Sequence, residues 1–103
     1  MEPEILAFRG ALIEEQGATF AVVEVAPDVL RAGNRRITEE RARYASIFRD
    51  VPVVLAAREA TGRTLYSGRP DIVRFLSSAG WARIPWKRYR ARKQDHDPFR
   101  EWA

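Results

Sequence analysis

The pattern of hydrophobic and polar positions in residues 5–26 predicts a β-hairpin. The segments ILAFRGALI and TFAVVEV are rich in strand-forming residues, and EEQG between them has the composition of a turn. Side chains alternate between the two faces of a strand, so each segment presents one mainly apolar face and one mixed face. We therefore predict antiparallel strands over residues 5–13 and 18–26.

The predicted register follows from a loop of four residues, which would place Ile13 opposite Ala18. In that register Arg9 and Glu24 fall diagonally on the mixed face, within reach of each other. The opposite face is predicted to be apolar and consists of Leu6, Phe8, Leu12, Val23 and Val25.

The next segment is predicted to form a connection followed by a helix. One helical turn can follow Asp28, and Gly and Asn residues then interrupt the pattern. Thr38 is a suitable N-cap, and two Glu residues come directly after it, where the helix dipole favours carboxylates. Tyr44 and Phe48 lie at helical spacing on one face. A helix is therefore predicted over residues 38–49.

The second half of the chain predicts another hairpin and another helix. VPVVLAARE is apolar at both its odd-numbered and its even-numbered positions, as expected for a strand that is covered on both faces. ATGR supplies a turn and TLYSG a returning strand. In GRPDIVRFLSSAG, Pro70 suits the first helical position and Gly80 the position after the end. The apolar stripe of this helix consists of Ile72, Phe75, Leu76 and Ala79. We predict that Phe75 and Leu76 lie buried between this helix and the sheet.

This order of elements predicts an α+β domain with the arrangement ββαββα. We expect two layers, in which a mixed four-stranded sheet carries both helices on one face. The first helix connects parallel strands, so its crossover should be right-handed. Residues 1–89 are predicted to form a single domain, and residues 90–103 a mobile tail of basic and mixed charge.

The composition excludes several classes of function. The chain has 103 residues and no Cys, which excludes disulfides, a thiol nucleophile and a thiolate metal site. Its apolar stretches, such as VPVVLAA, are far shorter than the roughly 20 residues that cross a bilayer. The acidic N-terminus lacks the basic and apolar regions of a signal peptide. We therefore expect a cytoplasmic protein that does not interact with membranes.

The charge is distributed unevenly along the chain, which carries a formal net charge of +4. The first 50 residues hold seven Arg and nine acidic residues, whereas residues 51–103 hold eleven basic and five acidic residues. Much of the basic excess lies in the segment RIPWKRYRARK, residues 83–93, which contains no acidic residue. Any interaction with a polyanion is therefore expected to involve this segment.

Residues 83–93 permit two interpretations. In the structural one, the segment is an extended piece or edge strand that covers apolar surface, with basic side-chain stems lying along it. In the functional one, its aromatic rings stack on bases and its basic groups contact phosphates. The candidate nucleic-acid contacts are Arg83, Trp86, Lys87, Arg88, Tyr89, Arg90, Arg92 and Lys93.

Other candidate chemistry is sparse. The only His is His96, within KQDHDPF in the predicted tail, so no nucleophile–base pair can be assembled by familiar rules. Gly68 and Arg69 precede the second long helix, where free backbone N–H groups could hold an anion. Pro70 removes one of those N–H groups and Asp71 adds a negative charge, and both oppose this site. We predict no catalytic residue, no metal site and no cofactor.

Two resemblances add to this interpretation. The segment YSGRPDIVRFL followed by RIPWKRY resembles a motif pair in small bacterial hypothetical proteins of about this length, which implies a related fold without an assigned activity. The layout of residues 20–79 is similar to the second half of the thioredoxin fold. In that comparison Val51-Pro52 takes the position of the cis-proline beside that family's active site. The dithiol motif is absent, so only the topology carries over.

Taken alone, the sequence supports a fold more strongly than a function. It predicts a small binding or assembly module without enzymatic activity, whose ligand is unknown. The partner can be another protein or a second copy of the chain. The alternative is weak, sequence-tolerant binding of nucleic acid through residues 83–93. A third interpretation, an enzyme with a pocket beside Pro52, is disfavoured because the sequence shows no acid–base pair.

Overall fold

A computed structural model of the protein describes residues 5–15 and 17–92. Within these ranges the chain forms five strands, three α-helices and one short 3-10 turn. In chain order they are β1 (Ile5–Glu15), β2 (Ala18–Glu24), α1 (Pro27–Arg31), α2 (Asn34–Ala45), β3 (Val53–Arg58), β4 (Thr64–Ser67), α3 (Pro70–Ala79), the 3-10 turn (Trp81–Arg83) and β5 (Lys87–Arg92).

The five strands form one mixed sheet in the order β4-β3-β2-β1-β5. Strands β2 and β3 are parallel, and every other neighbouring pair is antiparallel. The predicted α+β class is confirmed, whereas the predicted four-stranded sheet was wrong because β5 adds a fifth strand. This strand continues to Arg92, past Tyr89, where the predicted domain ended. The remainder of the predicted tail, residues 93–103, lies outside the described residues.

The first hairpin is tighter than predicted. Its strands pair up to Glu15 and Ala18, so the loop has two residues instead of four, and Ile13 pairs with Phe20. Gly17 has a φ of 78°, a conformation that two-residue hairpin turns require and that Gly adopts without strain. The register is shifted by two residues, which leaves every side chain on its predicted face.

The predicted contact between Arg9 and Glu24 is confirmed. Both side chains lie on the same face of the hairpin, with Arg9 Nη1 3.2 Å from Glu24 Oε1. The two side chains remain 47% and 28% exposed to solvent. Water and salt therefore screen much of their attraction.

We expect Glu24→Ala to lower the free energy of unfolding by only about 0–1 kcal/mol, as is usual for an exposed ion pair. Urea denaturation followed by circular dichroism would measure this change. A loss of several kcal/mol would show that Glu24 has a structural role beyond its pairing with Arg9.

Helix α2 begins and ends four residues earlier than predicted. Gly33, with a φ of 96°, precedes its first residue, so Thr38 lies inside the helix and the prediction of an N-cap there was wrong. Arginine residues occupy the added first turn and face glutamates one turn later, as in the pair of Arg35 and Glu39. Phe48 lies beyond the helix end but is buried as predicted.

Helices cover both faces of the sheet, so the predicted two-layer arrangement with both helices on one face was wrong. We call the two sides the α2 face and the α3 face, after the longer helix on each. The core of the α2 face consists of Phe8, Ala21, Val23, Tyr44, Phe48, Val53 and Leu55. The core of the α3 face consists of Ala11, Phe20, Val22, Val54, Ala56, Ile72, Leu76 and Ile84. The physical reason is that β2, like β3, has apolar side chains at both odd-numbered and even-numbered positions. Both faces of these strands must therefore be covered.

Helix α3 has the predicted bounds, with Pro70 at its start and Gly80 directly after its end. Leu76 is completely buried, as predicted. Phe75 is only half-buried, and its ring meets the edge of Phe20 at a centroid distance of 6.1 Å. The peptide bond before Pro52 is trans.

Candidate functional site

Strand β5 divides the predicted nucleic-acid residues between two faces of the sheet. Its side chains alternate, so Tyr89 lies on the α2 face whereas Arg88 and Arg90 lie on the α3 face. Lys87 is two residues before Tyr89 on the same strand and lies on the same face. Lys93 lies outside the described residues. The predicted basic and aromatic strip is therefore not a single surface.

Tyr89 is partly buried and packs against the core of the α2 face. Its ring is stacked on Phe8 at a centroid distance of 5.2 Å and an interplanar angle of 11°. It also meets Phe48 edge to face, at 5.3 Å and 80°. These ring contacts hold β5 against the rest of the domain, so Tyr89 is not a free platform for a base.

Trp86 is also held by contacts within the chain. Its indole Nε1 donates a hydrogen bond to the backbone oxygen of Trp81 at 3.2 Å, and the two indole rings lie 4.7 Å apart. The guanidinium carbon of Arg9 lies 5.3 Å from the centre of the Trp86 ring, within the range of a cation–π contact. Trp86 is half-buried, which agrees with the structural interpretation of this residue.

Arg83 lies apart from the other candidates. It lines a groove of about 640 Å³ between the end of α3 and the hairpin end of β1. The apolar walls of this groove include Ile13, Phe75 and Ile84. Glu15 is the acidic residue in its lining, so the groove carries one charge of each sign.

At the predicted anion site at the start of α3, Arg69 pairs with a side chain of the protein itself. Arg69 donates hydrogen bonds to both carboxylate oxygens of Asp71, from Nη2 at 2.8 Å and from Nε at 3.2 Å. This contact holds the pKa of the Asp71 carboxyl below its usual value. Gly68 has a packing role, because a Cβ there would lie 2.7 Å from Val54 Cγ2.

Three arginines come together on an uncovered part of the α3 face. Arg9 of β1 lies directly opposite Arg88 of β5, and Arg90 lies opposite Ala7. Residues in such positions have Cβ atoms about 4.5–5.5 Å apart. Arg88, Arg90 and even Ala7 are exposed, although β1 is an interior strand of the sheet. We call the surface formed by Arg9, Arg88 and Arg90 the arginine face.

The arginine face has an excess of positive charge. Glu24 balances part of it through the 3.2 Å contact with Arg9. Neither Arg88 nor Arg90 forms an ion pair with another of the described residues. Like charges directly opposite each other on neighbouring strands destabilise the pairing of those strands. A bound anion would offset this repulsion.

Sequence analysis identified Arg88 and Arg90 but missed Arg9 as part of this surface. Arg9 is far from Arg88 and Arg90 in the sequence, and only the pairing of β5 with β1 brings the three residues together. The alternation of Arg88, Tyr89 and Arg90 was the available signal, because it is typical of a strand with one charged face and one apolar face.

Neither a candidate metal site nor a membrane-spanning helix is found in the described ranges. These residues include no group of three or more His, Cys, Asp or Glu side chains that could hold a metal ion. None of the helices in the same ranges is long and apolar enough to cross a membrane. Comparison with protein families, with curated proteins and with solved structures found no significant match for this chain.

Proposed function

We propose that this protein is a small non-enzymatic binding module and that its arginine face contacts an anionic partner. The supporting observation is that Arg9 lies directly opposite Arg88, with Arg90 next on the same face of β5. Among the described residues, Glu24 is the one carboxylate that pairs with any of the three. Guanidinium groups bind carboxylates and phosphates as planar forks, so a bound anion would supply the missing negative charge.

A purely protective role explains less of this arrangement. Basic residues on an edge strand prevent pairing between sheets of different molecules, and Arg88 and Arg90 lie on such a strand. Arg9, in contrast, lies on β1, which has a neighbour on each side and needs no protection. Its position therefore favours a binding surface.

Nucleic acid is the alternative partner, supported by the net charge of +4 and the basic composition of residues 83–93. Tyr89 and Trp86 make ring contacts within the protein, so nucleic acid would be bound through its phosphates and not by base stacking. The phosphate contacts would come from the arginine face. Such binding would weaken strongly with salt and show little sequence preference.

The test is a titration of the protein with labelled poly-L-glutamate and with labelled single-stranded DNA, at low and at moderate salt. We expect the double variant Arg88→Ala/Arg90→Ala to bind the preferred polyanion at least about tenfold more weakly than the unaltered protein. Hydrogen bonds to charged groups contribute about 1.5–3 kcal/mol each, and 1.4 kcal/mol corresponds to tenfold. For DNA, the log–log salt slope should become shallower by about 1.4, from about 0.7 per phosphate.

The matched control is Arg35→Ala/Arg74→Ala, which removes the same charge from exposed positions on α2 and α3. This variant should bind almost as well as the unaltered protein. Equal weakening by both double variants would show that only the overall charge matters. Absence of binding to either polyanion at low salt would contradict the proposed function.

A further inference from the structure

Strand β5 forms one edge of the sheet among the described residues. It pairs with β1 on one side, and within the described residues no strand pairs with its other side. An edge strand presents a row of backbone N–H and C=O groups to any extended chain that lies alongside. The other edge strand, β4, has four residues, whereas β5 has six. The longer open edge is therefore the one that adjoins the arginine face.

The charges on this edge have the spacing of a β-strand. Arg88 and Arg90 are two residues apart on one face, which corresponds to about 6.6 Å. An added strand has the same repeat, so acidic side chains at alternate positions would lie opposite both arginines. The residue between those acids would lie on the other face, beside Tyr89 and the apolar core there.

We infer that β5 binds an extended acidic peptide of a partner protein as a sixth strand, with acidic residues at alternate positions and an apolar residue between them. This inference rests on the proposed function and specifies the partner. Main-chain hydrogen bonds along β5 provide affinity, and the alternating side chains provide specificity, as in other cases of strand addition.

A second copy of the chain does not fit this edge. If two β5 strands paired antiparallel about Tyr89, Arg88 of each copy would lie opposite Arg90 of the other. Two such arginine pairs in direct opposition would repel each other. An acidic strand in the same position would instead neutralise both arginines.

Nucleic acid fits this edge less well than an acidic strand does. Tyr89 is stacked on Phe8, and Trp86 is held by Trp81 and Arg9, so the rings offer no free platform for bases. A nucleic acid would also leave the backbone groups of β5 unpaired. An extended peptide uses both the charges and the backbone.

The experiment compares three labelled peptides that match β5 in length and share one composition of Glu and Val. The first alternates Glu and Val, the second groups its Glu residues in one block, and the third repeats the first with an N-methyl group on every backbone amide, so that neither edge of the peptide can pair. Fluorescence anisotropy measures binding to the full chain, and amide hydrogen exchange measures the protection of β5. Single-stranded DNA is titrated as an alternative ligand. The Arg88→Ala/Arg90→Ala variant is titrated with the same peptides and the same DNA.

We expect the alternating peptide to bind at least tenfold more tightly than the block peptide and to slow exchange in β5. N-methylation and the double arginine variant should each remove this binding. If all three peptides bind alike and the variant weakens them alike, strand addition is wrong while the proposed function stands. If DNA alone binds and the variant weakens it, the partner class is wrong while the proposed function again stands. If no peptide and no DNA binds, both proposals are overturned.

Discussion

Leu76→Ala is expected to lower the free energy of unfolding by about 2–5 kcal/mol, as is typical when a buried Leu is truncated. Leu76 is completely buried in the core of the α3 face. Removing its side chain loses the favourable transfer of that group from water and leaves a cavity. A domain of this kind is stable by about 5–15 kcal/mol in total, so the loss is a large part of its stability. Urea denaturation followed by circular dichroism would measure it.

Phe75→Ala provides the comparison, because Phe75 adjoins Leu76 on the same helix and is only half-buried at the wall of the groove. Sequence analysis predicted both side chains to be buried. The structure leads us to expect a smaller loss for Phe75→Ala than for Leu76→Ala, since part of the Phe75 ring already faces solvent. A larger loss for Phe75→Ala would contradict the described packing of α3.

Phe8→Ala is expected to lower the free energy of unfolding by about 3–5 kcal/mol. Phe8 lies at the centre of the aromatic cluster, with its ring centroid 5.0 Å from Tyr44, 6.0 Å from Phe48 and 5.2 Å from Tyr89. Each aromatic pair contributes about 0.5–1.5 kcal/mol beyond the burial of surface. The same change removes the ring on which Tyr89 is stacked, so amide hydrogen exchange in β5 should accelerate more than exchange in β3.

Leu12→Ala is the matched control for Phe8→Ala. Leu12 belongs to the same strand and has the same parity, but it is 53% exposed. We expect its truncation to change the stability by about 0.5 kcal/mol or less, as is usual at exposed positions. If Phe8→Ala cost no more than Leu12→Ala, the aromatic cluster would not stabilise the α2 face.

The elements that sequence analysis predicted well carry two agreeing signals. Helix α3 has an apolar stripe at helical spacing together with Pro70 at its start and Gly80 after its end. Strand β3 has a short apolar run that is bounded on one side by Pro52 and on the other by a turn. Where periodicity and boundary residues agree, both the element and its limits follow from local physics.

Predictions failed where the local pattern permitted more than one outcome. Helices on both faces of the sheet were not predicted, because β2 was assigned a single apolar face. In the structure Phe20 and Val22 pack on the α3 face, whereas Ala21 and Val23 pack on the α2 face. The start of α2 was missed because Thr38 is a good N-cap by composition, and the chain uses Gly33 instead.

The candidate site was predictable only in part. Arg88 and Arg90 are recognisable from local composition, since they lie in a segment without acidic residues. Their association with Arg9 depends on the register of β5 against β1, which no local pattern determines. The same register packs Tyr89 against Phe8 and Phe48, which opposes the base-stacking role that composition alone suggested.

The pairing of β1 with β5 also determines when the fold can be completed as the chain is synthesised. These are the first and last of the described strands, joined in a register that runs from Ile5–Arg92 to Gly10–Lys87. A growing chain emerges from the ribosome with β1 ahead of all the other strands. Until residues 87–92 follow, β1 remains an open edge and Phe8 lacks the ring of Tyr89. The final closure of the sheet and of its aromatic cluster therefore comes only after residues 87–92 have been synthesised.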